Sequence, residues 1–491
     1  MKRVWAFDIG ASNGRLMVNS FDGKYMYLEE IYRFPNFPVQ VTNNYYWDIL
    51  NIYSEMKKAM KKSIYKGFDQ IESMGIDTWG VDFGLLSNTG EILCNPYSYR
   101  NPRNIEGMER VLDQISSDEL FGLTGLEIAS INTLFQLYTI KEANPKLLEQ
   151  AETLLLTPNL LAYLFSGQKY NEFTISSTTQ MLSAFDKDWD KNILDRLSLP
   201  KDLMAPIVEP YTIAGETLPA INKEMEMDPV KVTYTAGHDT ACALAALPLE
   251  DDQSIFMSCG TWVLIGVPVD DPVTHANAMK WGFTSEGTMD GYYRLQKNNM
   301  GMWLLQQSRL IWEREGITTD YENENRLFME SEPLQSLIDP DHPSFFTPNN
   351  MIEAIQQFCR DTNQVVPKTQ GEIIRCILES LALKYRWVIN HLEILTGKKL
   401  KRIHMGGGAI RNQILCQLTA NATELKVIAG PIEASSIGNA IGQWIALGEV
   451  KNIKEAREVV KRSFPLKEYK PQDSDKWEDK YNYFNENILQ G

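Results

Sequence analysis

Several signals that usually classify a chain are missing from this one. Six cysteines (94, 242, 259, 359, 376 and 416) form no CxxC pair, and five histidines show no metal-ligand spacing. Neither a disulfide framework nor a zinc site is expected, and a reducing, cytoplasmic setting fits. An excess of positive charge is missing too: 48 Lys and Arg face 64 Asp and Glu, a net charge of −16. Binding a phosphate backbone needs clustered cations, so no nucleic-acid partner is expected. The one basic run, "KKAMKKSIYK" at 57–66, carries Ile52, Met56, Ala59, Met60 and Ile64 at helical spacing, which makes its lysines a solvated helix face. No stretch approaches the ~18 uninterrupted apolar residues of a membrane helix, so no membrane partner is expected. Asp8 ends the first apolar run too early for a signal peptide. There is no GxxxxGK[ST], hence no P-loop, and "GGGAIRN" at 406–412 lacks the last glycine of a dinucleotide fingerprint.

What is present describes an α/β protein. A hydrophobic content of 43% is enough for large cores, and 23% charged residues is ordinary for a globular chain. At about 150 residues per domain the length suggests roughly two to four domains. Residues 3–9 and 15–20 read as strands, with Asn13-Gly14 as the hairpin turn between them. A helix over 48–66 and a strand over 72–77 follow, then a second hairpin in "DTWGVDFGLLSNTGEIL" with its far turn at 88–90. "AGHDTACALAALP" after a strand at 230–235 places Gly237 to Thr240 at a helix start. Near 247 the chain turns polar and acidic, which divides it into 1–246 and 247–491. In the second part, apolar spacing from Ile373 to Leu395 predicts one core helix of about 25 residues, opened by a Thr369–Glu372 capping box and closed by Gly397. "EASSIGNAIGQWIALG" reads as a small-residue helix that lets a neighbour approach closely.

Two corners share one design. "FDIGASNGR" (7–15) and "FMSCGTWVLIG" (256–266) each break an apolar strand with a small, polar, glycine-containing turn. A phosphate loop needs backbone N–H groups converging without a Cβ in the way. Gly10, Ala11, Ser12 and Asn13 with Arg15 could offer them in the first, Gly260 and Thr261 in the second. Asp8 is placed to hold a magnesium ion or its waters. Asp239 could be an N-cap or a catalytic carboxylate. Asp77 and Asp82 could bind hydroxyls or simply form a turn.

"FDIGASNGR", "GIDTWGVDFGLL", "NTLFQL", "GHDTA", "SCGTW", "NNMGMWLLQ", "HMGGGAIRN" and "GPIEASSIGNAIGQ" occur in this order, and the chain resembles the FGGY family of carbohydrate kinases from Asp8 to about Glu449. The resemblance implies two ribonuclease-H/actin-like domains with ATP in the cleft between them. It also implies magnesium-assisted transfer of the γ-phosphoryl group to a small sugar such as a ketose. Asp239 would be the catalytic base, with His238, Thr240, Gly80 and Asn298 (or its neighbour Asn299) beside the sugar. Asp8 would lie near the metal, and Ala11, Ser12, Asn13, Gly14 and Arg15 along the phosphates. Gly260, Thr261, Gln306 and Gly408 (or Gly407) would face the nucleotide. Within "DTWGVDF", Asp77, Thr78 and Asp82 would meet sugar hydroxyls and Trp79 and Phe83 its apolar end, unless either aromatic sits in the core. The alternatives are a kinase for another ketose or polyol, or a non-enzymatic actin-like ATP clamp or sugar sensor. Monomer or homo-oligomer is left open.

Overall fold

The computed structural model describes residues 1–317 and 320–489. The chain divides into two compact units, each assembled from separate stretches. Unit 1 comprises 1–248, 268–295 and 434–463; unit 2 comprises 249–267, 296–433 and 464–491.

Unit 1 is built on a six-stranded sheet of β1 (Lys2–Ile9), β2 (Asn13–Phe21), β3 (Met26–Pro35), β4 (Ser73–Thr78), β5 (Thr212–Glu216) and β6 (Lys231–Tyr234). The order across it is β3-β2-β1-β4-β6-β5. β1 and β2 form an antiparallel hairpin, β4 runs parallel to β1, and β6 runs parallel to β4. β1 and β4 are buried along most of their length because both their faces are covered. Helix Ile49–Tyr65 buries Ile52, Met56, Ala59 and Met60, as the spacing predicts, together with Ile49, while Ile64 is only half-buried. The helix drawn from the far end of the chain, Ala434–Ala446, packs against β1, β4 and helix Asp239–Ala246. Its small residues are required there: a Cβ on Gly438 would fall 1.8 Å from the Cys242 carbonyl oxygen.

Unit 2 repeats the pattern. Its strands are β7 (Ser254–Cys259), β8 (Trp262–Val269), β9 (Tyr293–Met300), β10 (Arg402–Gly406), β11 (Lys426–Ala429) and β12 (Lys467–Tyr469). They run in the order β9-β8-β7-β10-β11-β12, with β8 and β9 crossing the division along the chain. Again an antiparallel hairpin, β7–β8, is followed by two parallel neighbours and an antiparallel edge. The long helix is Gln370–Thr396, 27 residues, with the Thr369–Glu372 capping box formed and Gly397 left-handed at its end.

One expected turn is corrected and one stands. Asn13-Gly14 is not the first hairpin turn; residues 10–12 make it, and both residues belong to β2. Phe34 explains the glycine, since a Cβ at Gly14 would strike its ring at 2.4 Å. The turn near 88–90 exists, closed by Gly90 N–H on Ser87 O at 3.0 Å. Strand Phe83–Leu86 takes its ladder from Thr153–Leu156, and the two sides of the turn are joined by the bridge Leu86–Ile92, by Ser87 N–H on Glu91 O at 2.9 Å and by Leu93 N–H on Leu85 O at 3.0 Å.

Candidate active site

In unit 1 the carboxyl ends of three parallel strands bring three carboxylates together. Ligands of α/β sheets bind at such ends. Asp8 closes β1 and stands in register with Asp77 on β4. Thr78 bridges to His238, the residue before Asp239.

Asp8 is ionised. Burial pushes its carboxyl up, but Arg15 and the hydroxyls of Ser435 and Ser436 outweigh that and hold it below the ordinary value. Its Oδ2 accepts from Arg15 Nη2 at 2.7 Å, Ser435 Oγ at 2.5 Å and Ser436 Oγ at 2.9 Å. Arg15 is thus committed to Asp8. Asp77 is the opposite case: burial, then repulsion from Asp8, raises it well above the usual range. Asn439 donates to its Oδ1 at 2.6 Å, while its Oδ2 is buried without a partner.

Among the described residues no three His, Cys, Asp or Glu side chains cluster as a metal cage. A divalent cation that binds together with substrate phosphates needs only one or two carboxylates from the protein. Asp8 and the unpartnered Oδ2 of Asp77 fit such an ion.

Asp239 does not cap its helix. His238 occupies the N-cap and Asp239 is the first helical residue. Its side chain is 35% exposed, enough to meet a ligand. Burial raises its pKa, the His238 ring lowers it, and Asp8 raises it further. Thr240 Oγ1 donates to Asp239 Oδ1 at 3.1 Å, and His238 Nε2 lies 3.4 Å from the same oxygen. Gly80 belongs to this group: a Cβ there would sit 3.5 Å from His238 Nε2. Glu172, which sequence reasoning missed, holds the loop in place. It is fully buried and accepts from Gly237 N–H at 2.8 Å and Thr174 N–H at 2.8 Å. Burial lifts it to about 7 against these donors.

The rest of "DTWGVDF" is core, which corrects its expected sugar contacts. Asp77, Thr78 and Asp82 are fully buried, and Trp79 and Phe83 nearly so. Asp82 accepts from the indoles of Trp47 at 2.5 Å and Trp79 at 2.8 Å, and from Gln136 at 2.9 Å. An aspartate with three buried donors organises a turn; its hydroxyl-binding capacity is already used. Val81 in that turn has a φ of 69°, rare for a β-branched residue. Thr133 donates to its carbonyl at 2.6 Å, and its N–H reaches Thr178 Oγ1 at 3.1 Å.

The first corner offers fewer amides than expected. Gly10 N–H is spent on Asn13 O at 2.9 Å, and Asn13 Oδ1 accepts from Arg33 at 2.7 Å. Ser12 is exposed and Ala11 partly so. In unit 2, Gly260 N–H is likewise spent, on Trp262 O at 2.8 Å. Thr261 is exposed and its hydroxyl meets Gln306 Oε1 at 3.4 Å, which brings two of the expected nucleotide residues together. Gly407 (φ 91°) backs onto β7, and a Cβ there would fall 2.5 Å from Cys259 O. Gly408 faces open space. Asn298 is exposed on β9, whereas Asn299 is buried and donates to Lys297 O at 3.0 Å.

Both units carry a hairpin-plus-parallel-strand sheet, and in unit 1 carboxylates stand at the strand ends. Residues 4–246 match the FGGY family of carbohydrate kinases, N-terminal domain, and residues 255–447 the C-terminal domain. The chain belongs to this family and is a carbohydrate kinase. It is similar to proteins named rhamnulokinase. The one from Bacteroides thetaiotaomicron is 39% identical, covering 98% of this chain and 99% of that one. The one from Bacillus subtilis is 35% identical, covering 96% of each. In fold it matches a ligand-bound xylulose kinase from Lactobacillus acidophilus (TM-score 0.82, 14% identity, 99% and 97% of the two chains). Plasmodium falciparum glycerol kinase with ADP gives a TM-score of 0.80 at 14% identity, over 100% and 99%. Among the described residues no helix is long and apolar enough to cross a membrane.

Proposed function

We propose that this protein transfers the γ-phosphoryl group of ATP to L-rhamnulose, giving L-rhamnulose 1-phosphate, with Asp239 as general base. The observation that carries the chemistry is the place of Asp239: a partly exposed carboxylate at the carboxyl ends of parallel strands, beside Asp8 and Asp77. Phosphoryl transfer asks the protein for positioning, charge neutralisation and a group to take the hydroxyl proton. Asp239 takes that proton, with a pKa raised towards neutrality, the direction that suits a base working near pH 7. His238, Thr240, Gly80 and Asn298 hold the sugar. Ala11 to Arg15 lie along the phosphates, where Arg15 acts chiefly by keeping Asp8 ionised. Magnesium, held by Asp8 and Asp77, would neutralise phosphate charge. Residues 1–246 carry the metal and phosphate side and every sugar contact named except Asn298. Residues 247–491 carry the nucleotide side through Gly260, Thr261, Gln306 and Gly408. The six unbridged thiols support a cytoplasmic setting.

The sugar's identity rests on relatives named rhamnulokinase at 35–39% identity across at least 94% of the chain. ADP release with L-rhamnulose, L-fuculose and D-xylulose tests it. L-Fuculose differs in configuration at C4, and a hydroxyl read by buried partners discriminates by up to ~10⁴-fold. L-Rhamnulose should have the highest kcat/KM by at least ~10²-fold. Equal use of L-fuculose would overturn the assignment and favour a kinase of broader ketose range.

A further inference from the structure

Behind His238, on the side away from Asp239, lies a buried ion pair that the chemistry so far leaves unused. Arg294, near the start of β9, is wholly buried, and Glu286 on strand Thr284–Gly287 is 5% exposed. Arg294 Nη2 donates to Glu286 Oε2 at 2.5 Å and lies 2.8 Å from His238 Nδ1. Glu286 Oε2 is also 3.2 Å from that nitrogen. Arg294 Nη1 donates to the Gly287 carbonyl, which fixes the plane of the guanidinium. Burial would raise the Glu286 carboxyl, but the adjacent Arg294 charge opposes that, and the carboxyl sits at about 2, ionised throughout the working range.

A guanidinium is always protonated and can only donate. Arg294 Nη2, at 2.8 Å, lies nearer to His238 Nδ1 than Glu286 Oε2 does at 3.2 Å, so Nδ1 accepts from it and the imidazole proton resides on Nε2. Nε2 is the nitrogen that faces Asp239 and Gly80. We propose that Arg294, oriented by Glu286, is a positioning residue that locks His238 as the Nε2–H tautomer, making it a hydrogen-bond donor to an oxygen of the acceptor sugar. Asp239 is then left as the one base of this pair. The inference rests on the reading of His238 as a sugar contact. It adds a specificity element: the sugar oxygen at His238 accepts, and a sugar analogue carrying a donor-only group there, such as an ammonium, is refused.

The test begins with the full-length wild-type protein, labelled with ¹⁵N-histidine and assigned with His238→Asn. At pH 7.5 the His238 ring should show the neutral Nε2–H pattern of ¹⁵N shifts and two-bond couplings. An Nδ1–H pattern or an imidazolium would overturn the lock without any variant. Arg294→Met would strand the Glu286 charge in the interior and threaten the fold. The paired change Arg294→Met with Glu286→Gln removes both charges. It should lose the fixed tautomer and raise the ketose KM at least ~10-fold, with the ATP KM changed less than twofold. Arg294→Lys, which keeps a donor, should restore part of the ketose affinity. An unchanged ketose KM in the paired variant, with His238→Asn still impaired, would overturn the positioning role and leave the sugar contact standing. An unchanged ketose KM in His238→Asn would overturn the sugar contact itself.

Discussion

The corner after β1 and the corner after β7 close in the same way, each with a glycine N–H reaching a carbonyl across the turn. Beneath them the chemistry differs. The first stands on Asp8, ionised and held by Arg15 and two serines, with a second buried aspartate in register beside it. The second stands on Cys259, whose thiol burial keeps protonated, and its parallel neighbour ends in Gly406 and Gly407 instead of a carboxylate. One fold pattern has thus been given a charged floor in unit 1 and a neutral one in unit 2. A charged floor suits metal and proton handling. A neutral one with bare glycine backbone suits close approach by an uncharged flat group such as a nucleobase.

The largest expected effect lies on the charged side. Asp239→Asn should lower kcat by ~10²–10⁴-fold while the melting temperature hardly moves. In wild type the acidic limb of kcat/KM for the ketose should stand above the ordinary aspartate value of 3.8, since burial favours the protonated form. Activity is present above that limb and is lost as pH falls through it. A variant keeping a tenth of the rate, or the same limb, would make Asp239 a bystander.

On the neutral side, Gly407→Ala must place a Cβ 2.5 Å from the Cys259 carbonyl at a positive φ, whereas Gly408→Ala enters open space. Denaturant unfolding should show Gly407→Ala losing ~1–3 kcal/mol, the range for a side chain forced into strained backbone. Gly408→Ala should be close to neutral in stability and instead raise the KM for ATP. Equal destabilisation by the two would mean that the loop readjusts and the distinction between them fails.

A smaller effect separates the two floors directly. Asp8→Asn should raise the magnesium concentration for half-maximal rate ~10-fold, about 1.4 kcal/mol of lost charge interaction, with ketose KM little changed. Thr261→Val should leave the magnesium requirement alone and raise the KM for ATP only ~3–10-fold, the worth of about one hydrogen bond. A magnesium shift in Thr261→Val of the size seen in Asp8→Asn would erase the contrast between the corners.

Local signals in the chain were sufficient for its repeating elements. The period of Ile52, Met56, Ala59 and Met60, the capping box at Thr369 and the glycine at 397 each report physics confined to a few neighbouring residues, and the structure follows them. The small residues of "EASSIGNAIGQ" likewise announced a close approach, though not that Cys242 and Thr235 are what approach. What tertiary structure alone decided is which polar groups have spare capacity. Asp77, Asp82 and Asp239 look alike in sequence, yet Asp82 is saturated by two indoles and an amide, and Asp239 is left partly exposed. Glu172, Glu286 and Arg294 gave no signal because their partners lie 65, 48 and 56 positions away in the chain. A carboxylate's role depends on how many donors reach it and how much water is excluded, and both are set by residues that only the folded sheet brings together.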